Sequence, residues 1–436
     1  MQRWAPGAAR GSGGGSRPLP GGPDGGSVPT VGSELSADQR AQMEGLLRRF
    51  HQVLTATPGT AKVGVHRINT EPGWVVQEAH RPLPRKVWDT VRQEVQLMKQ
   101  WGVIEESRSK WRSPIILVPK RDGSVRFCID FRKVNGISQF DAYPMPRVEE
   151  LLECLGRARY ISTLDLSKGY WQIPLDPQDR KKTAFATPFG LFQFRRMPFG
   201  LHGAAATFQR AMDQVLRPMK GYAAAYIDDI AVYSMTWPEH LPHLEAVMRA
   251  LEEAGLTANP KECHLAQREV SYLGYTVGGG RLKPLLDKVE ALRSYPPPAT
   301  KRQVRGFLGL AGYYRRFVPD FATIAAPMTE LTKDVHPNKV QWTTQPDQAF
   351  RELKRRLVQA PVLRQPDFEK LFSLYTDASE CGIGAVLAQD HEGEEHPVLY
   401  LSRKLLPRER NYATIEKEAL AVKWAIETLR YYFMGQ

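Results

Sequence analysis

Two aspartates stand side by side in AYIDDIAVYS, residues 225–234, between runs of apolar, β-branched and aromatic residues that read as strand. A hairpin turn is one reading of the pair, because Asp is common in such turns and its carboxylate can accept from its own backbone. A divalent-metal site is the other, since adjacent carboxylates repel unless a cation lies between them, and hard oxygen donors suit magnesium. Upstream, Asp165 ends another strand-like run, RYISTLD. If the two segments are neighbours in one sheet, three carboxylates converge at its end, which implies bound metal. Two divalent ions about 3.5–4 Å apart can activate a hydroxyl and stabilise a leaving pyrophosphate, the chemistry of nucleotidyl transfer.

Further groups suited to that chemistry lie nearby in the sequence. Lys120 and Arg126 flank a KRDG turn, where two cations could fold over a triphosphate or simply face solvent. Tyr170 follows Asp165 by five residues, and its ring could fill the space that a ribose 2′-hydroxyl needs; a core tyrosine is the plainer reading. MPFGLHGAAATFQRAM offers a loop broken by Gly200 and Gly203 and leading into a helix, able to lie beneath a base pair or to serve no such purpose. Near the C-terminus, Asp377 closes a strand-like run. Glu418 shares a helical spacing with Ile415, Val422, Ala425 and Leu429, which predicts a carboxylate on an apolar stripe. A charge there needs a partner or a metal.

The elements that must hold these residues are mixed, as in an α+β protein. Residues 1–33 contain ten Gly and five Pro with almost no large apolar side chain, and predict a disordered leader. A weakly helical stretch, SADQRAQMEGLLRRFHQVL, follows. Helical spacing then recurs at Val87, Val91, Val95, Met98 and Trp101, with Gly102 as a stop. SPIILVPKRDGSVRFCIDFR predicts a hairpin. A helix is expected from Thr207, then the YIDD hairpin, then a helix introduced by the capping pair Thr236 and Glu239 and ended by Gly255. After RSYPPPATK comes another helix, QVRGFLGLAGYYRRFV. The last segment offers three strands and a long helix.

Composition narrows the function. The 436 residues are 42% hydrophobic, enough for two or three domains with cores. Lys and Arg exceed Asp and Glu by 13, with a pI near 9.5, which suits a polyanionic partner. Cys128, Cys154, Cys263 and Cys381 lie far apart without a CxxC pair, so neither a zinc module nor a disulfide framework is indicated, and a reducing compartment is the simpler setting. No run approaches the roughly 18 apolar residues of a membrane span, and the N-terminus lacks the apolar core of a secretory signal. A soluble, intracellular protein without membrane partners is expected.

In SPIILVPKRDGSVRFCIDFRKVN, YPMPRVEELL, LDLSKGYWQI, KTAFATPFGLFQFRRMPFGLHGAAATFQ, YIDDI, GLTANPKEC, YLGY and FLGLAGYYRRF, in that order, the chain resembles the reverse transcriptase of gypsy-type LTR retrotransposons. The resemblance runs from about residue 64 to the C-terminus. It implies a polymerase right hand of fingers, palm and thumb, followed by an RNase H-like mixed α/β domain. The corresponding spans are 1–60 for leader and weak helix, 61–280 for fingers and palm, 281–367 for thumb and connection, and 368–436 for the RNase H-like part.

It further implies that Asp165, Asp228 and Asp229 are catalytic metal ligands, with Leu166 contributing backbone beside them. Lys120 and Arg126 become triphosphate contacts, Tyr170 a gate against ribonucleotides, Phe199 and Gly200 parts of the nucleotide pocket, and Tyr272, Leu273 and Gly274 a primer grip. Arg315 and Arg316 become candidates for following a duplex backbone. YTDASECGIGAVLAQ and NYATIEKEALAVKWAI resemble the family's RNase H domain, which makes Asp377 and Glu418 metal ligands of a second site, with Glu416 competing for the latter role. The expected activity is RNA-directed DNA synthesis with two Mg²⁺ ions, for which Mn²⁺ could substitute. Its partners would be RNA template, DNA primer, RNA–DNA hybrid and dNTPs, in cytoplasmic particles or the nucleus. The family pattern has further acids beyond Gln436, so the RNase H-like domain is expected to be incomplete and weak or inactive. A retroelement-derived binding protein without catalysis is the alternative.

Overall fold

A computed structural model describes residues 28–79, 82–119 and 125–434. The strand that ends at Asp165, Tyr160–Asp165, is the middle member of a five-stranded sheet whose order is Thr30–Val31, His264–Gln267, Tyr160–Asp165, Asp229–Ser234, Ala223–Tyr226. All six of its residues are buried. Within this buried strand the Ser162 hydroxyl finds partners: its Oγ is 2.8 Å from His240 Nε2 and accepts from the Ala266 N–H at 2.9 Å.

The helices Ala204–Leu216 and Trp237–Glu253 pack on this sheet. The first buries Phe208, Ala211, Met212 and Val215, as their spacing predicts, but begins three residues before Thr207. The second starts where expected, with the Glu239 carboxylate accepting from the Thr236 N–H at 3.1 Å, and Gly255 follows its end at φ +71°.

The N-terminal expectation needs correction. Within the stretch read as a disordered leader, Thr30 and Val31 pair in parallel with His264 and Leu265. A side chain at position 32 would strike the Ala266 carbonyl oxygen at 2.2 Å, so Gly32 is what lets the backbones approach. The stretch read as weakly helical forms Ala37–Arg49, capped by Ser36, and Met43 and Leu46 are wholly buried in the same core as the sheet. Here tertiary burial supplies what the local composition lacks.

Around this core, Trp88–Gln100 buries Val91, Val95 and Met98 and stops before Gly102 at φ +65°. Ile115–Pro119 pairs antiparallel with Val125–Ile129, Val118 opposite Arg126. A three-stranded sheet joins Ile104–Glu106, Gly190–Phe194 and Phe185–Thr187.

The described residues form two compact units, 28–151 with 158–270, and 152–157 with 271–434. The second contains the sheet of Glu269–Tyr272, Tyr275–Gly278, Arg281–Pro284 and Leu363–Arg364, and the helices Leu286–Arg293, Lys301–Tyr313 and Thr344–Val358. It ends in the antiparallel sheet Ser373–Ala378, Gly382–His391, Glu394–Lys404 and the helix Thr414–Thr428. The predicted stripe coincides with the inward face of that helix only in part. Ala421, Ala425 and Leu429 are buried, whereas Ile415 is 78% exposed and Val422 43%. The small alanines allow close packing on the sheet, and the larger β-branched residues point away. No described helix is long and apolar enough to cross a membrane.

Candidate active site

Strand pairing brings the aspartates together. Asp165 at the end of its strand lies directly opposite Asp229, the first residue of Asp229–Ser234. Facing residues in such a ladder have Cβ atoms about 5 Å apart, and like charges there are unfavourable. Asp228 sits in the turn between Tyr226 and Asp229, and its carbonyl accepts from the Leu166 N–H at 3.1 Å. Hence Leu166 is joined by its backbone to the turn, while its side chain is buried. Asp165 itself is only 7% exposed.

Two features shape the turn. Ile227 adopts φ +57°, the left-handed region that a β-branched residue disfavours. Gly169 lies against Asp228, so a Cβ on residue 169 would come within 2.9 Å of the Asp228 Cβ. The glycine leaves room that any other residue would fill.

Tyr170 stacks on Phe199, with ring centroids 5.0 Å apart and planes at 28°, and touches Phe208. Burial raises its phenol pKa, with the Asp228 charge and Tyr226 adding to the effect, so the hydroxyl stays protonated. Phe199 is half exposed, and Gly200 follows at φ +92°. This loop is held by Asn135, whose Nδ2 donates to the Gly200 carbonyl at 2.8 Å and whose Oδ1 accepts from the His202 N–H at 2.9 Å.

The remaining expectations divide plainly. Lys120 lies outside the described residues, and Arg126 is placed only by its backbone opposite Val118. Tyr272, Leu273 and Gly274 belong to the second unit and form a tight turn, with Leu273 at φ +46° and Gly274 at φ +81°. The Tyr313 hydroxyl donates to the Leu273 carbonyl, and the Tyr314 hydroxyl to that of Gly274 at 2.6 Å. Arg315 donates to the Ser402 carbonyl at 2.6 Å. Asp377 is exposed on its strand opposite Gly384, and Glu418 is half-buried on its helix. Glu416 accepts from the Ala413 N–H at 2.8 Å and serves as a helix cap.

Three buried or contacting residues near the carboxylates went unread in the sequence: Gly169, Gln172 and Gln209. Gln172 Nε2 donates to the carbonyls of Ser167 and Thr257 at 2.9 and 2.8 Å, and its Oε1 accepts from the Thr257 N–H at 2.8 Å, pinning the loop that follows Asp165. The available signal was a glutamine next to large apolar residues, GYWQI for Gln172 and ATFQRAM for Gln209.

The donors fit a hard divalent cation in kind, since three aspartates are placed by their backbone at one end of a sheet. Among the described residues, no three ligating side chains are drawn together into a ready-made cluster, so the fit lies in donor type and backbone placement.

The chain matches the family model for reverse transcriptase (RNA-dependent DNA polymerase) over residues 118–277, and that for the RNase H-like domain found in reverse transcriptase over residues 342–436. It is 39% identical over 418 residues to the retrovirus-related Pol polyprotein from transposon 297 of Drosophila melanogaster, covering 92% of this chain and 38% of that protein. The Pol polyprotein from transposon gypsy of the same species is 38% identical over 403 residues, covering 88% and 38%. Among solved structures, the foamy viral protease-reverse transcriptase in complex with double-stranded DNA superposes with a TM-score of 0.83 at 25% identity, over 92% of this chain and 71% of that one. The same viral protein in complex with an RNA/DNA hybrid gives 0.80, over 92% and 55%. This chain belongs to the reverse transcriptases of gypsy-type LTR retrotransposons and carries an RNase H-like domain behind the polymerase fold. It spans 38% of the length of the transposon 297 and gypsy polyproteins.

Proposed function

We propose that this chain is an RNA-directed DNA polymerase that extends a DNA primer on an RNA or DNA template, with Asp165, Asp228 and Asp229 as its metal-binding carboxylates. The observation that carries the reading is the register of Asp165 against Asp229 beside the Asp228 turn, within the residues that match the reverse transcriptase model. Held by these carboxylates, Mg²⁺ or Mn²⁺ would supply Lewis-acid activation of the primer hydroxyl and charge stabilisation for departing pyrophosphate.

The chain's own residues do the rest. Phe199 and Gly200, clamped by Asn135, form one wall of the nucleotide pocket, and the stacked Tyr170 ring forms the floor against which a ribose would rest. A bulky ring there excludes a 2′-hydroxyl by volume. Lys120 and Arg126 are proposed to hold the triphosphate, and Tyr272–Gly274 to hold the primer. The net charge of +13 favours nucleic acid of any sequence. The double-stranded DNA and RNA/DNA hybrid bound by the foamy viral protein support the same class of partner.

Asp377 and Glu418 are proposed as acids of a hybrid-cleaving site in the RNase H-like domain. With Asp377 exposed on an outer strand of its sheet, cleavage by this chain is expected to be weak.

The polymerase reading is tested by incorporation of labelled dNTPs on poly(rA)/oligo(dT) with Mg²⁺ or Mn²⁺, against the Asp228→Asn, Asp229→Asn double variant. Metal-dependent extension that disappears in the variant supports it. A folded wild-type chain that binds the hybrid without extending it overturns it.

A further inference from the structure

Gln209 lies on the helix Ala204–Leu216 and is wholly buried. Its Oε1 accepts from the Ile227 N–H at 2.8 Å. Its Nε2 donates to the Ala225 carbonyl at 3.0 Å and to Asp213 Oδ1 at 2.8 Å. One side-chain amide therefore bonds main chain on both sides of Tyr226. The orientation is unambiguous, because an N–H can only donate and a carbonyl can only accept. Turning the amide over would set donor against donor and acceptor against acceptor.

The residue gripped at its N–H is the one with the unfavourable backbone. In the left-handed region an isoleucine's Cβ crowds its own carbonyl oxygen, and such a residue persists only where its surroundings over-determine it. Rotation of Ile227 to an ordinary conformation would redirect Asp228, the next residue. The bond to Gln209 opposes that rotation directly.

The network continues outward. Asp213 Oδ2 accepts from the Tyr143 hydroxyl at 2.6 Å. Arg210 lies over the Tyr143 ring at 4.7 Å and makes two 2.8 Å hydrogen bonds to Asp141. Thus the helix that carries Gln209 is tied to the segment 141–143 as well as to the turn.

We propose that Gln209 is a positioning residue, holding Ile227 in its left-handed conformation so that Asp228 and Asp229 are presented to a divalent cation. The proposal deepens the polymerase reading and rests on it for its consequence in turnover.

The decisive measurement is Mn²⁺ affinity by electron paramagnetic resonance or calorimetry, made on the full chain beside primer-extension kinetics. Gln209→Met keeps the side-chain length and removes all three hydrogen bonds. It is expected to weaken Mn²⁺ about tenfold and to lower kcat by about 10–100-fold, the range for losing a partner that orients metal ligands, with KM for dNTP within about twofold. Tyr143→Phe should shift both in the same direction by about two- to threefold, through the weakened Asp213 link. Met212→Ala, a core truncation on the same helix, should lower thermal stability and leave Mn²⁺ affinity unchanged. Wild-type Mn²⁺ affinity in Gln209→Met overturns the proposal, as does an equal loss in Met212→Ala. If Gln209→Met does not fold, Gln209→Glu takes its place: the carboxylate still accepts from Ile227 but faces the Ala225 carbonyl and Asp213 as an acceptor, and unchanged affinity there overturns the proposal too. A wild-type chain that binds Mn²⁺ through Asp228 and Asp229, loses affinity in Gln209→Met, yet extends no primer would refute the polymerase reading and leave the positioning role standing.

Discussion

Asp165 and Asp229 face each other on adjacent inner strands of a five-stranded sheet, whereas Asp377 is exposed on an outer strand of a three-stranded one and Glu418 is half-buried on a helix. On the first sheet, the Asp165 and Asp229 strands each have a bonded neighbour on both sides, and Gln172 and Gln209 hold the backbone that flanks the aspartates. On the second, the strand of Asp377 is paired on one side only. Ladder bonds on both sides and buried amides specify a carboxylate's position more tightly than a sheet edge does, and a metal-dependent reaction is sensitive to displacements of an ångström. The lesson is that equal residue types do not make equal sites.

The sharpest way to break this comparison is to remove acids from each region in turn. Asp228→Asn with Asp229→Asn should reduce primer extension by more than about a thousandfold, and Asp377→Asn with Glu418→Gln should leave it within about twofold. Steady-state extension assays with both double variants decide, and comparable losses would erase the distinction.

The pocket beside the first site gives the next largest effect. Tyr170→Ala opens the volume that the ring fills beside Phe199 and should reduce discrimination against ribonucleotides about 10–100-fold, read as the ratio of kcat/KM for dNTP and rNTP. An unchanged ratio would mean that the stacked ring is simply core.

The inward face of the C-terminal helix is next. Ala421→Glu places a carboxylate in a fully buried position and should destabilise the RNase H-like domain by about 3 kcal/mol, against at most about 0.5 kcal/mol for Ile415→Glu on the exposed face. Thermal melts of the two variants would reverse in rank if the helix packed on the stripe predicted from its sequence.

A last effect is read through pH. Burial lowers the pKa of His66 to about 4, and that of His240 likewise, and both belong to the first unit. An unfolded histidine takes up a proton near pH 6.5 while these remain neutral, so the folded state is at its full stability above that pH and loses it as the pH falls toward 4. The loss approaches about 3 kcal/mol for each histidine. Urea titrations at pH 7 and pH 5 should show the first unit weakening on acidification, and replacement of His240 by Gln should flatten the slope.

Much of this was legible in the residues themselves. Alternation and apolar runs located the Asp165 strand and the YIDD hairpin, and capping pairs located the helix that begins after Thr236. The failures share a cause. The helix Ala37–Arg49 looked weak because its own apolar stripe is narrow, but Met43 and Leu46 fit a core supplied by distant segments. On the C-terminal helix Ala425 and Leu429 of the predicted stripe are buried, but hydrophobicity favoured Ile415 and Val422 where close packing chose Ala421. Gln209 went unread beside a buried phenylalanine, because its main-chain partners lie on the turn that crosses its helix.

By itself the amino-acid sequence determined that acids, cations and aromatics suited to nucleotidyl transfer occur in order along one chain, because local periodicity and turn chemistry are properties of neighbouring residues. Tertiary structure decided that Asp165 stands opposite Asp229, that Gly169 makes room for Asp228, and that Gln209 grips Ile227. Those depend on strand register and on the approach of segments far apart in the chain, and no local pattern encodes either.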